Sequence, residues 1–401
     1  MLQYGLNAYA SDFVIDEENI WFVPFGYNYL CCYNLKQKRM EKRIRLPIEN
    51  NKPVLYGSMV KSGSRMILIP SEADATVVYD KADGKITKFL VDEIKEDIYC
   101  ACCVENDNVW MIPWIRRTNE VQDIFVKKIN LYDGRIAFLE AFPKNTEPKD
   151  RGERWLLNGN CVCVENSIYI GYRNYIIKID LCNGCREAYI VGGDKVIYTT
   201  MCMVDDERLC MMDIYGNVII WNRKKEQLAA EIKNENICLE MLGFPNGYGH
   251  REGYGSSVVY RNEFVWFIPS HANKVLQLDI KNNVLSEAWF SSDICGDVME
   301  RPDACGQFSK AHIRGDYLYV WNLWNESFFI IDIRFHKVER RRIETGLSSD
   351  EFCSMFWKYM GKGICREELL GADGLNLLIQ SICSDKYDRR KLYENMDKMK
   401  G

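Results

Sequence analysis

The residues with the clearest potential for chemistry are a histidine, an arginine and a glutamate side by side in a glycine-rich stretch. His250, Arg251 and Glu252 stand in the sequence GYGHREGYG. A histidine and a carboxylate can act as general base and acid, and glycines on both sides would let the loop approach a substrate closely. Adjacent charged residues are also common in glycine-rich loops, and the sequence fixes no nucleophile beside these. His250 and Glu252 are therefore weak catalytic candidates.

A second candidate is the pair Cys182 and Cys185, which has the spacing of a zinc knuckle. A structural zinc site needs a second pair of ligands, and Asn183-Gly184 between the cysteines is a plain hairpin signal. The four histidines fall at unrelated places in the chain. No glycine-rich loop follows a strand and opens a helix, as a phosphate-binding loop would. The sequence therefore predicts neither a metal nor a cofactor.

Composition narrows the class of protein. The 401 residues are 47% hydrophobic and 27% charged, with a net charge of −5, which gives no basic field for nucleic acid or an anionic membrane. No run approaches the ~18 apolar residues of a membrane span. The N-terminus lacks the basic start and apolar stretch of a signal peptide. The 17 cysteines lie mostly inside apolar runs, so we expect reduced core thiols and a cytoplasmic location.

The elements that must position any site are short strands repeated about every 50 residues. Three markers recur, and the stretch Tyr254–Asp279 shows all of them. An aromatic residue followed by a small one opens the first strand of a copy. A second apolar run follows, and in four copies it ends at a proline, which cannot donate a ladder hydrogen bond. An Asn or Asp closes the third strand in all seven copies, at Asn34, Asp80, Asn130, Asp180, Asn222, Asp279 and Asp332.

Seven copies of four strands predict an all-β, seven-bladed β-propeller of antiparallel blades. The predicted blades are about 9–46, 55–91, 98–142, 157–191, 197–232, 253–290 and 305–343 within a propeller domain at 1–346. A pair of Greek-key sandwiches is the other all-β arrangement, but it would not explain one register kept seven times.

The repeat resembles the large seven-bladed propeller superfamily that includes kelch, WD-repeat and quinoprotein-like proteins. The resemblance covers about 340 residues and is architectural. The kelch double glycine is missing where Val265-Trp266-Phe267 stands, and the Gly-His and Trp-Asp pairs of WD repeats are absent. The turn in YDKADGK (79–85) looks like that of quinoprotein-related repeats. No subfamily follows from these residues.

After Ile343 the pattern changes to helical spacing, which predicts a helical C-terminal extension at 347–401. Ser348 and Glu351 form a capping box, and Phe352, Met355 and Phe356 follow at helical intervals. These helices either pack across a propeller face or blade edge, or dock a partner.

The resemblance also implies where a ligand would bind. In propellers the loops that join the second strand to the third, and one blade to the next, share one face around the axis. This surface is called the loop face below. The residues there that suit binding are aromatic, basic or amide side chains. They are Trp114, Arg116, Arg151, Arg154, Tyr172, Arg173, Tyr215, Arg251, His271, Asn273, Arg301 and Trp324.

The sequence predicts a binding or scaffolding protein without catalytic activity, whose loop face takes a protein, a peptide or a glycan, because loops on a rigid scaffold usually carry function. The alternative is a propeller lyase or hydrolase acting on a glycan or peptide, with His250 and Glu252 supported by Arg251, Arg154 or Arg301. A third possibility is a structural subunit whose helical tail docks into an assembly.

Overall fold

The computed structural model describes residues 8, 10–25, 27–48, 55–71, 73–90, 98–105, 107–114, 125–140, 157–193, 196–240, 253–296, 307–323 and 325–346. Within these ranges the chain forms seven four-stranded sheets. The strands of each sheet are antiparallel and follow one another in chain order. Each sheet is one blade, and the blades are numbered 1 to 7 along the chain.

The strands have the following bounds. Blade 1 comprises β1 (Phe13–Asp16), β2 (Asn19–Phe22), β3 (Tyr29–Asn34) and β4 (Arg39–Arg45). Blade 2 comprises β5 (Tyr56–Ser62), β6 (Arg65–Pro70), β7 (Ala75–Asp80) and β8 (Ile86–Leu90). Blade 3 comprises β9 (Ile98–Glu105), β10 (Asn108–Trp114), β11 (Phe125–Asn130) and β12 (Ile136–Glu140). Blade 4 comprises β13 (Leu157–Val164), β14 (Ser167–Tyr172), β15 (Tyr175–Asp180) and β16 (Arg186–Ile190).

The remaining blades continue the same pattern. Blade 5 comprises β17 (Tyr198–Met203), β18 (Arg208–Asp213), β19 (Val218–Asn222) and β20 (Gln227–Ile232). Blade 6 comprises β21 (Tyr254–Tyr260), β22 (Phe264–Pro269), β23 (Leu276–Asp279) and β24 (Val284–Glu287), followed by the short helix α1 (Ser291–Cys295). Blade 7 comprises β25 (His312–Arg314), β26 (Tyr317–Asn322), β27 (Ser327–Asp332) and β28 (Lys337–Arg341).

The third-to-fourth turn shows why the Asn or Asp marker recurs. This residue is the last of the third strand in all seven blades, and its side-chain oxygen accepts hydrogen bonds from turn amides, as Asp80 does from Ala82 N at 2.9 Å. In blades 2, 3 and 4 a glycine then takes φ near +73°, where a residue with a Cβ is strained. The sequence pattern is therefore the chemistry of one turn repeated.

Seven hydrophobic clusters fill the seven seams between neighbouring blades. Residues on one face of a strand enter one seam and the alternate residues enter the next, as Trp21 and Phe22 do on β2. The seam between blades 7 and 1 buries Phe13 and Phe22 of blade 1 against Trp321 and Phe328 of blade 7. Because the last blade packs on the first in this way, the ring is closed. The predicted all-β seven-bladed propeller is confirmed.

Charged pairs join blades at the first-to-second turns, on the side opposite to the loop face. Asp16 of blade 1 binds both Lys61 and Lys81 of blade 2. Arg223 of blade 5 reaches Glu165 of blade 4 at 2.8 Å. These pairs add polar contacts to the apolar packing of the seams.

Two features differ from the sequence-based expectation or lie outside it. Helix α1 between blades 6 and 7 was not predicted, because its five residues are too few to show a helical period; it buries Ile294 and Cys295 in the seam between these blades. The predicted helical extension at 347–401 lies outside the described residues, so the division of the chain at residue 346 stays a prediction. In the described part of the chain, no helix is long and apolar enough to span a membrane.

Candidate functional site

The loops of the loop face are fixed by asparagine side chains that form hydrogen bonds with the backbone of neighbouring segments. Asn28 donates to Leu46 O at 3.1 Å and to Ile48 O, and Asn174 donates to Gly192 O at 3.2 Å. Both asparagines lie between the second and third strands of a blade, and both acceptors lie in the segment that leaves its fourth strand. These bonds satisfy backbone groups that loops leave unpaired, so they fix the loops relative to the blades.

Asn273 also binds loop backbone, and its hydrogen bonds join two blades. Its side-chain oxygen accepts a hydrogen bond from the backbone N–H of Glu240 at 3.1 Å, and its backbone N–H donates to Glu240 O at 3.1 Å. Glu240 lies in the segment that leaves blade 5, whereas Asn273 belongs to blade 6. The Asn273 carboxamide oxygen therefore has a structural partner, and the ligand-binding role expected from the sequence stays a prediction.

Three further predicted binding residues lie on the same face in blades 4, 5 and 6. Arg173 occupies the turn between β14 and β15 with φ of +46°, and its carbonyl accepts from Tyr198 N. Tyr215 lies between β18 and β19 and is 61% exposed. His271 follows β22, and its amide donates to Gly253 O at 3.2 Å. The structure therefore places these residues in consecutive blades around the axis, and their role in binding stays a prediction.

The other predicted site residues are not described at the side chain. Trp114 ends β10 and Tyr172 ends β14, at the loop face, and only their backbone is described. The rest lie outside the described residues: Arg116, Arg151, Arg154, Arg251, Arg301, Trp324 and the catalytic candidates His250 and Glu252.

A buried aspartate at the loop-face end of the innermost strands connects three blades. Asp12 precedes β1 of blade 1 and its side chain is 4% exposed. One carboxylate oxygen accepts from His312 Nε2 at 2.8 Å. The other accepts from Ser58 Oγ at 3.0 Å and from Met59 N at 2.9 Å, both in blade 2. His312 belongs to blade 7, so one carboxylate joins blades 7, 1 and 2 where the ring closes.

A lysine completes this group, which we call the closure cluster (Asp12, Ser58, Lys310 and His312). The Lys310 ammonium donates to Ser58 Oγ at 2.8 Å and lies 3.6 Å from the Asp12 carboxylate. Burial by itself raises the pKa of the Asp12 carboxyl. The positive charge of Lys310 and the hydrogen bonds from His312 and Met59 outweigh it, and they lower that pKa to about 2. Asp12 is therefore ionised at neutral pH.

The geometry of the closure cluster is structural rather than that of a serine hydrolase. A hydrolytic triad requires the histidine to lie between the serine and the aspartate. Here Ser58 and His312 both bind Asp12 directly, and the serine is buried. Sequence reasoning missed this cluster because its members come from three blades and share no spacing; only the closed ring brings them together.

A shallow depression lies where the chain leaves blade 7 and passes blade 1. It is lined by Pro24, Tyr27, Tyr29, Cys31, Arg43 and Thr345, and it has no room for a bound water molecule. The depression opens next to strand β4, which carries Arg43.

The sequence predicts that the cysteines are reduced thiols and that they bind no metal. Among the described residues, no group of three or more histidine, cysteine or acidic side chains is arranged to hold a metal ion. The described cysteines are free thiols: Cys31, Cys32, Cys202, Cys210 and Cys295 are buried, whereas Cys182, Cys185 and Cys238 are exposed. The Cys182–Cys185 turn repeats the backbone bonds of the blade 2 and blade 3 turns, which have no cysteine.

This pattern predicts selective thiol labelling. With native protein, iodoacetamide should modify Cys182, Cys185 and Cys238 first, whereas Cys31 and Cys210 should react only after unfolding. Burial raises the pKa of the Cys31 thiol to about 12, which suppresses the reactive thiolate. Mass spectrometry of the alkylated peptides measures each site. Equal labelling of Cys31 and Cys182 in folded protein would contradict the burial described here.

Comparison with known proteins gives matches among solved structures. No protein-family model matches the chain, and no curated protein matches it. Solved structures do. The β-propeller domain of Cps50 (Swd1) from Myceliophteria thermophila aligns with a TM-score of 0.56 at 9% identity, covering 82% of this chain and 98% of that one.

The chain is a seven-bladed β-propeller. A computationally designed protein, Ika8, aligns with a TM-score of 0.54 at 8% identity over 85% of this chain and 90% of its own. The structure of U3-55K aligns with a TM-score of 0.53 at 10% identity, over 80% and 90% of the two chains. At such low identity the likeness establishes the fold and leaves function to be argued from the site.

Proposed function

We propose that this propeller is a binding scaffold whose loop face holds a partner protein. The observation that carries the proposal is that hydrogen bonds fix the loops of the loop face in place. Asparagine side chains fix its loops to the blades, while Tyr215 projects with 61% of its surface exposed. A preformed surface loses little conformational freedom when a partner binds.

The residues at this face suit a protein partner. Tyrosine and arginine are the residue types that dominate binding energy at protein interfaces, and Tyr215 and Arg173 lie on consecutive blades. A tyrosine offers a large rigid area with a polar end, so its exposure on a fixed loop favours contact with another surface. The general use of rigid scaffolds to present loops supports the same proposal.

The test is partner capture from the source cells with matched variants. Wild-type protein and the double variant Arg173→Ala, Tyr215→Ala serve as baits, and retained proteins are identified by quantitative mass spectrometry. We expect at least one partner whose recovery falls about tenfold or more in the double variant, since two interface residues of this kind contribute about 1–2 kcal/mol each.

The control is Tyr132→Ala, which removes a tyrosine that is 90% exposed in the third-to-fourth turn of blade 3, on the opposite face. It should retain the partner. Equal loss with Tyr132→Ala, or no loss with the double variant, would contradict the use of the loop face. Thermal melts with a panel of sugars provide the second readout, because a ligand at 100 times its Kd stabilises by about 2.7 kcal/mol; a shift abolished by the double variant would point to a glycan instead.

A further inference from the structure

The outermost strands of blades 7 and 1 carry an excess of positive charge. Strand β4 reads RMEKRIR, with four basic residues and one acidic residue, and β28 reads KVERR, with three basic and one acidic. The outermost strands of blades 2 to 6 together hold two basic and four acidic residues. The whole chain has a net charge of −5. The positive edge is therefore a local feature of an acidic protein.

Blades 7 and 1 are neighbours at the closure of the ring, where β28 contacts the turn that leads into β4. The Lys38 ammonium, in the turn just before β4, lies 3.2 Å from the Glu339 carboxylate on β28. The Arg341 guanidinium of β28 donates to Leu35 O of blade 1 at 2.5 Å. We call the surface of these two strands the basic rim; its cations are Arg39, Lys42, Arg43, Arg45, Lys337, Arg340 and Arg341.

The acidic residues of the basic rim are occupied, whereas several of its cations face solvent. Glu339 accepts from Arg341 Nε at 2.8 Å as well as pairing with Lys38. Glu41 accepts from Asn34 Nδ2 at 3.0 Å. Arg39, Lys42 and Arg45 are exposed, and no carboxylate in the described part of the chain forms an ion pair with any of the three. Exposed cations on both faces of one edge strand attract an anion.

We propose that the basic rim binds an acidic segment of a partner protein. This surface is separate from the loop face, so the inference goes beyond the proposed function. Strand β4 has seven residues and spans about 23 Å at ~3.3 Å per residue, which matches an extended peptide of similar length. Arginine forks bind carboxylates through paired hydrogen bonds. A nucleic acid would extend past this short edge. It would then meet the rest of a protein whose net charge is negative and which therefore repels it.

The test uses the full-length protein and a fluorescein-labelled oligoglutamate peptide of about ten residues, long enough to span β4. Fluorescence anisotropy measures its Kd. Binding should weaken as salt rises from about 0.01 M to 0.15 M, where the screening length falls from about 30 to 8 Å. The triple variant Arg39→Gln, Lys42→Gln, Arg45→Gln should weaken binding about tenfold, since each exposed ion pair contributes modestly.

A matched triple variant removes the same charge from other blades: Lys88→Gln, Arg186→Gln and Lys225→Gln. It should bind the peptide like the wild type, and so should the loop-face double variant Arg173→Ala, Tyr215→Ala. Equal weakening in both charge variants would show a diffuse charge effect and overturn the proposal. Tighter binding of an oligothymidylate of matched charge, lost in the β4 variant, would overturn it in favour of nucleic acid. Circular dichroism checks that each variant is folded.

Discussion

Replacing Asp12 with alanine is expected to lower the free energy of unfolding by about 3 kcal/mol. The substitution removes a buried carboxylate that accepts hydrogen bonds from His312, Ser58 and Met59 and that lies 3.6 Å from the Lys310 ammonium. Removing one member of a buried ion pair costs more than the pair itself is worth, because the remaining charge is desolvated without compensation. Urea unfolding followed by circular dichroism measures the change.

The control for this effect is Asp74→Ala. Asp74 pairs with Lys88 at 3.0 Å on the surface, where its side chain is 44% exposed, so we expect a loss of at most about 1 kcal/mol. Similar losses in the two variants would contradict the role given to the closure cluster.

The same carboxylate should make the free energy of unfolding depend on pH in the acid range. The pKa of Asp12 is about 2 in the folded protein, below its ordinary value of 3.8. Since the folded pKa is the lower one, the stabilisation is complete above about pH 4 and is lost as the pH falls towards 2. Compared with wild type, Asp12→Asn should lose less stability between pH 5 and pH 2, by about 2 kcal/mol. Parallel acid curves for the two proteins would contradict the lowered pKa.

Replacing Trp321 with alanine is expected to cost about 4 kcal/mol. Trp321 is completely buried in the seam between blades 7 and 1, with ring centroids 4.9 Å from Phe22 and 5.1 Å from Phe328. Truncating a buried tryptophan loses its apolar burial and leaves a cavity that close-packed neighbours fill only in part. Because this seam closes the ring, we also expect limited proteolysis to cut the variant faster than the wild type.

Two substitutions test whether the cost arises from the cavity. Trp321→Phe keeps most of the ring and removes an indole N–H that has no partner in the described part of the chain, so it should cost clearly less than alanine. Tyr132→Ala, at a 90% exposed position, should change stability by no more than about 0.5 kcal/mol. A loss for Trp321→Ala as small as that for Tyr132→Ala would contradict tight packing at the closure seam.

The fold could be predicted because it depends on local and repeated physics. The residue that ends each third strand, such as Asp80 or Asp180, is Asn or Asp because its side chain accepts the turn amides. Alternate apolar residues along each strand enter opposite seams. Both requirements act within about 30 residues and recur seven times, so a single sequence contains the strand order and the number of blades.

For the candidate surfaces too, strand order predicts the positions of the residues, whereas their contacts across blades require the tertiary structure. The loop positions of Arg173, Tyr215, His271 and Asn273 followed from strand order, but the bond between Asn273 and Glu240 depends on how blade 6 meets blade 5. The sequence also has basic residues in β4 and β28, but it does not show that β28 meets the turn before β4.

Closure of the ring decided what the sequence by itself could not. The sequence determined the strands, their turns and the faces they bury, because these depend on residues close together in the chain. The tertiary structure alone brought Asp12 against His312, 300 residues away, and placed β28 against the β3–β4 turn of blade 1. Such contacts depend on the angle accumulated over seven blades, which no single blade encodes.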